Sequence, residues 1–73
     1  MNRRNLKVRK VLKALKDYGC VEIRNTSHGV IFENPNNKKS TNVPTHQDIL
    51  PVWIYRNILR QLDIKDEDLE QYL

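Results

Sequence analysis

The stretch Asn25–Pro35, NTSHGVIFENP, decides how the rest of the chain can be arranged. Within it, Gly29–Glu33 combines β-branched and aromatic residues and is bounded by turn-forming residues on both sides, which predicts a strand. Asn25–Ser27 is predicted to form the turn before that strand, so His28 lies where the turn enters it. Because an imidazole titrates near neutral pH, His28 is a candidate for proton transfer.

Two further strands flank this one in the sequence. Cys20–Arg24 alternates between apolar and polar residues, which predicts a strand with Val21 and Ile23 on one buried face. After a polar loop over residues 34–39, which has the composition of a hairpin turn, Ser40–Val43 forms a short third strand. The three segments together predict an antiparallel meander that needs helices to cover its apolar face.

Helices are predicted on both sides of the meander. Over about Asn5–Tyr18 the apolar residues recur at helical spacing, and Gly19 is placed to end that helix. Pro51 suits the first turn of a second helix, because its missing N–H would be unpaired there anyway. Asp66–Leu73 predicts a short acidic helix. The expected fold class is α+β, with the order α-β-β-β-α, a three-stranded antiparallel sheet covered by helices and a short extra C-terminal helix, in one domain over residues 1–73.

Length and composition exclude several classes of protein. A chain of this size buries only about 60% of its unfolded surface, so it cannot also enclose a large cofactor. No apolar run reaches the roughly 20 residues that cross a bilayer, and the charged N-terminus is unlike a signal peptide. The single cysteine, Cys20, excludes an internal disulfide and a multi-cysteine zinc site, and its apolar neighbours indicate a core position. We therefore expect a cytoplasmic protein without metal or cofactor.

The formal net charge of +4 conceals an uneven distribution. Residues 1–19 contain seven Lys or Arg and one Asp, whereas residues 63–73 contain one Lys and five Asp or Glu. A basic face of this size attracts phosphate backbones through counterion release, whatever their sequence. The alternative is a solvated helix face that keeps a small protein in solution, and the charge pattern alone does not separate the two.

His28 is the residue best placed for chemistry on RNA. Ser27 precedes it, and we expect Arg24 and the loop carrying Lys38 and Lys39 to lie near it. A neutral imidazole there would accept the proton of a ribose 2′-hydroxyl, while the cations offset the charge that grows on the phosphate. The competing interpretation is a histidine that caps the turn by hydrogen bonds to backbone groups.

His46 and Trp53 carry weaker functional signals. His46 follows Val43-Pro44-Thr45, and we expect it to tie together the connection between the third strand and the second helix. Trp53 falls off the apolar stripe of that helix, so it is expected to be partly exposed, where a tryptophan can anchor a protein partner. With no third ligand at a useful spacing, the two histidines are weak evidence for zinc.

These features, in this order, resemble the HicA family, the mRNA-cleaving toxins of bacterial and archaeal type II toxin–antitoxin pairs. The resemblance covers almost the whole chain and depends on the ordered set rather than on any one motif. It comprises a basic helix ending in Tyr18-Gly19, the strand Cys20–Arg24, Ser27-His28, Asn34-Pro35, Val43-Pro44-Thr45-His46, the Pro51 helix with Ile58-Leu59-Arg60-Gln61-Leu62, and the acidic helix with Leu69.

The resemblance implies a fold like that of the double-stranded-RNA-binding domain and an endoribonuclease that needs no metal. Family members use one histidine in a Gly-Ser-His motif, which corresponds to His28 with Ser27 beside it. The implied partners are mRNA and a HicB-like antitoxin, with no small-molecule cofactor and no membrane. The residues that we expect to contact RNA are Ser27, Arg24, Lys38, Lys39, Lys7 and Lys10.

The chain departs from the family pattern near the motif. Thr26 stands where the family usually has glycine, and Gly29 stands where a second histidine or a bulkier residue is common. The segment His28–Pro35 is also one residue longer than usual, and an alignment made backward from the end of the strand would place His28 on the motif's serine. We align on Ser27-His28 and expect a β-bulge near Gly29 to absorb the extra residue.

Two functions other than catalysis fit the same residues. A non-catalytic RNA-binding module would use this fold to read RNA shape. A protein-interaction subunit would bind only its partner, through Trp53 and the acidic C-terminal segment.

Overall fold

The computed structural model describes residues 5–73 and shows an α+β fold with the predicted order of its main elements. Arg3 and Arg4, which contribute to the basic N-terminal segment, lie outside the described residues. The elements are β1 (Asn5–Lys7), α1 (Val8–Tyr18), β2 (Val21–Thr26), β3 (Gly29–Asn34), β4 (Lys39–Pro44), β5 (Ile49–Pro51), α2 (Val52–Leu62) and α3 (Asp66–Glu70). The three-stranded antiparallel sheet, its helices and the short C-terminal helix are confirmed, as in the fold of the double-stranded-RNA-binding domain.

The main sheet is an antiparallel meander in the order β2-β3-β4. The pairing of β3 with β4 is continuous from Gly29 opposite Pro44 to Asn34 opposite Lys39. The turn between β2 and β3 therefore lies at one end of the sheet, and the turn between β3 and β4 lies at the other. At about 3.4 Å per residue, the length of β3 separates the two turns by roughly 17 Å.

One face of this sheet carries the hydrophobic core. Phe32 on β3 and Val43 on β4 are fully buried and pack with the apolar stripes of the two long helices. Cys20, between α1 and β2, is buried as predicted. The helical residues of the core are Val8, Val11, Ala14, Leu15, Tyr55, Ile58, Leu59, Leu62 and Leu69. Helices that cover a single face leave the opposite face of the sheet open to a ligand.

The predicted burial of Val21 and Ile23 is wrong. Their side chains are 47% and 49% exposed. The register places Val21 opposite Glu33, on the face away from Phe32, so that Glu22 instead is the residue opposite Phe32. The pairing is irregular between Glu22 and Arg24, so the β-bulge of this hairpin lies on β2, and the prediction of a bulge near Gly29 is wrong.

A second, two-stranded sheet was not predicted. β1 pairs antiparallel with β5, with Leu6 opposite Leu50. As a result, α1 begins at Val8 and not at about residue 5. Pro51 is likewise the last residue of β5, immediately before α2, and is not inside the first helical turn. Helical periodicity is a local signal and does not detect a pairing partner more than 40 residues away.

Two asparagines attach the β3–β4 turn to the C-terminal end of α2. The side-chain amides of Asn34 and Asn37 each donate a hydrogen bond to the carbonyl of Leu62, both at 3.0 Å. The last carbonyls of a helix have no partner within the helix, so these bonds cap α2. Among residues 5–73, no helix is both long enough and apolar enough to cross a membrane.

Candidate active site

His28 lies at the tip of a two-residue hairpin turn. Thr26 and Gly29 form the last pair of the β2–β3 ladder, so that only Ser27 and His28 connect the two strands. Both turn residues are exposed. The imidazole of His28 is thus accessible at one end of the sheet, on a backbone whose conformation is restricted by the strands on either side.

Thr26 holds this turn from within the hairpin. Its hydroxyl accepts a hydrogen bond from the backbone N–H of His28 at 3.2 Å. The same oxygen lies 3.2 Å from the carbonyl of Gly29 and 3.1 Å from Oδ1 of Asn42 on β4, and its single proton is donated to one of them at a time. A glycine at position 26, as in the usual family pattern, would provide none of these contacts.

Gly29 is required because β4 approaches it closely. Its φ is 152°, a value that residues with side chains rarely adopt. A Cβ atom built on Gly29 would lie 2.1 Å from the carbonyl oxygen of Val43 and 3.0 Å from the Cα of Pro44. The second departure from the family pattern therefore has a steric reason, since a bulkier residue would push β4 away from the turn.

His46 reaches the same turn from the other side. Its Nε2 atom is hydrogen-bonded to the backbone carbonyl of Ser27, 19 residues earlier in the chain. A carbonyl oxygen can only accept, so Nε2 carries the proton in this contact. We expected His46 to stabilise its own connection; the structure shows that it instead links that connection to the turn carrying His28.

Among the cations expected to contact RNA, Arg24 is nearest in sequence to the turn that carries His28. It is exposed on β2, opposite Ile31 and two residues before Thr26. Lys38 and Lys39 lie at the opposite end of the sheet, so the expectation that they lie near His28 is wrong. Lys39 instead has its Nζ atom 4.0 Å from Oδ2 of Asp63.

The basic N-terminus of α1 adjoins the connection that carries His46. The backbone N–H of Val8 donates a hydrogen bond to the carbonyl of Asp48 at 2.9 Å. An open cleft of about 490 Å³ lies here, with Lys7 and Arg9 among its lining residues. Lys10 is exposed in the same first turn, which contains no acidic residue. The positive end of the helix dipole and the cations therefore act together at this site.

The remaining candidate groups are not part of this arrangement. The thiol of Cys20 is buried, and burial raises its pKa, which is the opposite of what a nucleophilic cysteine needs. Within residues 5–73, no three His, Cys, Asp or Glu side chains are grouped closely enough to hold a metal ion. Trp53 is 64% exposed, as predicted.

Sequence reasoning identified His28 and missed the residues that hold its turn. The sequence places Thr26 in the predicted turn and Asn42 in the predicted third strand, but it does not indicate a contact between them. A polar side chain beside a predicted hairpin turn can hydrogen-bond across the strands, and this was the available signal for Thr26. For the contact of His46 with Ser27 there was no local signal.

Comparison with known protein families gives one match. The family model described as the HicA toxin of bacterial toxin–antitoxin systems matches residues 8–64, more than three quarters of the chain. This span contains the β2–β3 turn and the connection with His46. No curated protein matches the chain.

Proposed function

The chain belongs to the HicA toxin family of bacterial toxin–antitoxin systems, and on that premise we propose that it is a metal-independent endoribonuclease that cleaves mRNA with His28 as its general acid or base. The observation that carries this proposal is the position of His28. It is exposed at the tip of a two-residue turn whose backbone is hydrogen-bonded to Thr26 and His46. An accessible imidazole on a restrained backbone supports this role, because a general acid or base must come within hydrogen-bond reach of the substrate.

The reaction that fits an exposed histidine is transfer within the RNA backbone. His28 removes the proton of a 2′-hydroxyl, the 2′-oxygen attacks the neighbouring phosphorus, and the bond to the 5′-oxygen breaks as that oxygen takes up a proton. That proton comes from water or from the imidazolium of His28, and the other product is a 2′,3′-cyclic phosphate. Arg24 lies three residues before Ser27 on β2, and Lys7 pairs with Ile49, three residues after His46; both would offset the negative charge that develops on the phosphate.

RNA would follow the open face of the sheet from His28 towards the β3–β4 turn. The distance of roughly 17 Å between the two turns would let one RNA strand contact both ends of the sheet. Ser27, Lys7, Lys10 and Arg24 would then contact RNA near the cleavage point. Lys38 and Lys39 would contact phosphates further along, so their replacement is expected to raise KM and leave kcat unchanged.

A HicB-like antitoxin would neutralise the toxin by covering the exposed turn with acidic or apolar groups. The family to which the chain belongs implies an antitoxin partner, and the basic N-terminal helix favours an acidic surface on it. Trp53 provides an exposed aromatic side chain for such a contact. Both proteins would act in the cytoplasm, where mRNA is available.

Purified wild-type protein and His28→Ala would be incubated with RNA in the presence of a metal chelator. We expect the substitution to slow cleavage at least about 100-fold, because general acid–base catalysis contributes about 10²–10⁴-fold. Since His28 is exposed, the variant should unfold at the wild-type temperature, and this control separates loss of chemistry from loss of fold. Equal cleavage by the two proteins would refute the assignment.

A non-catalytic RNA-binding module is the second candidate function. The placement of Lys38 and Lys39 far from His28 favours it, because cations distant from the candidate catalytic group can bind phosphates but cannot act at the bond that is cleaved. This function predicts RNA binding that weakens steeply with salt, persists in His28→Ala and gives no cleavage products.

A further inference from the structure

We propose that His46 is the positioning residue of the candidate active site, acting on His28 through the carbonyl of Ser27. The inference deepens the proposed ribonuclease function and rests on it. His46 lies 18 positions from His28 in the sequence, and only the folded chain brings its ring to the residue that precedes His28.

The turn needs such support because packing does not provide it. Ser27 and His28 are both exposed, so no side chain of the core limits their motion. Thr26 restrains the N–H of His28 and also contacts Asn42 on β4, so it fixes the turn only within the three-stranded meander. The contact from His46 is different, because it connects the turn to a segment outside the hairpin.

That segment is itself anchored to the rest of the fold. Asp48, two residues after His46, accepts the hydrogen bond from the N–H of Val8 at the start of α1. Ile49 then pairs with Lys7 in the two-stranded sheet. His46 therefore joins the turn carrying His28 to the basic N-terminus of α1, so that the proton-transfer group and the cations keep a constant relative position.

The chemistry of the contact defines what His46 has to supply. The carbonyl of Ser27 needs a donor, and Nε2–H is present both in the neutral tautomer that carries its proton on Nε2 and in the charged imidazolium. The contact therefore does not require His46 to change its protonation state. The side-chain amide of glutamine also donates from its Nε2 atom, so glutamine at position 46 should preserve the hydrogen bond to Ser27. Alanine has no side-chain donor and cannot.

The test compares His46→Ala and His46→Gln with the wild type, using a fluorophore-labelled RNA oligonucleotide over a range of pH. We expect His46→Ala to lower kcat by about 10- to 100-fold, because a displacement of about 1 Å of a catalytic group costs up to about 100-fold. His46→Gln should retain most of the activity. Both variants should keep the wild-type shape of the pH profile of kcat. Glu67→Gln, an exposed substitution on α3 that lines neither the cleft nor the turn, is the control and should behave as wild type.

Two results would overturn the proposal. If His46→Gln is as impaired as His46→Ala and one limb of the pH profile is lost, His46 transfers protons itself. If neither substitution changes kcat, the contact with Ser27 does not position His28.

A measurement without RNA separates this inference from the proposed function. The backbone amide signals of Ser27 and His28 in NMR spectra should shift or broaden in His46→Ala and stay close to wild type in His46→Gln. Absence of RNA cleavage by the wild-type protein, or full cleavage by His28→Ala, would refute the ribonuclease assignment. The amide signals would still decide whether His46 holds the turn, and unchanged signals in His46→Ala would refute that role.

Discussion

Replacement of Gly29 by alanine tests the close approach of β4 to the candidate active-site turn. The new Cβ would lie 2.1 Å from the carbonyl oxygen and 2.8 Å from the carbonyl carbon of Val43. Both are backbone atoms, so no side-chain rotation relieves the overlap. The strand must move instead, and it leads directly into the connection that carries His46.

Gly19 provides a matched control for this substitution. It also has a positive φ, at 123°, but no atom beyond its chain neighbours lies within 4 Å of a Cβ built there. Gly19→Ala should therefore be destabilised only by backbone strain, which lowers the unfolding free energy by about 1–3 kcal/mol. Gly29→Ala should lose a similar strain energy and, in addition, about 1–3 kcal/mol for forcing extra volume into a packed position.

The two variants would be compared by urea unfolding, followed by far-ultraviolet circular dichroism. A chain of this length typically has an unfolding free energy of about 4–11 kcal/mol, so the predicted losses are measurable. In thermal unfolding, each kcal/mol corresponds to roughly 4–8 °C. Equal midpoints for Gly29→Ala and Gly19→Ala would refute the reasoning, because the overlap with Val43 would then have no energetic consequence.

Three further predictions concern the interior. The buried thiol of Cys20 should react with iodoacetamide much more slowly in the native protein than in urea; equal rates would show that it is accessible. Because burial raises its pKa, the folded state holds the proton more tightly, so stability should be lost as pH rises through that raised value, and Cys20→Ala should reduce this alkaline loss. Asn34→Ala should lower the unfolding free energy by about 1–3 kcal/mol, because it removes a buried donor to the carbonyl of Leu62. Asn37→Ala removes a less buried donor to the same carbonyl and should have the smaller effect; a larger effect would contradict this account of the cap.

The elements of the fold were predictable where one local signal dominated. The apolar stripe of α1 and Gly19 after it correctly placed most of that helix and its end. The alternation in β2 identified a strand but assigned the wrong face to the core. Alternation gives a period of two without saying which set of residues is buried, and that choice depends on the register with β3.

The candidate site was predictable to the extent that it is local. His28 and Ser27 are adjacent in the sequence, and the turn residues around them indicated an exposed position. Grouping Lys38 and Lys39 with them failed because the two hairpin turns of a meander fall at opposite ends of its central strand. Charge and residue type alone contain no information on which end a loop occupies.

The sequence by itself determined the fold class, the order of the main helices and strands, the family, and His28 as the histidine at the hairpin. The helices, strands and hairpin follow from residue types at short spacing, because periodicity and turn chemistry act over a few neighbouring residues, whereas the family follows from the resemblance of the ordered motifs along the chain. Only the tertiary structure decided the second sheet formed by β1 and β5, the outward face of Val21, and the contact of His46 with Ser27. Those features depend on contacts between residues 12 to more than 40 positions apart, which are set by how the whole chain packs its core.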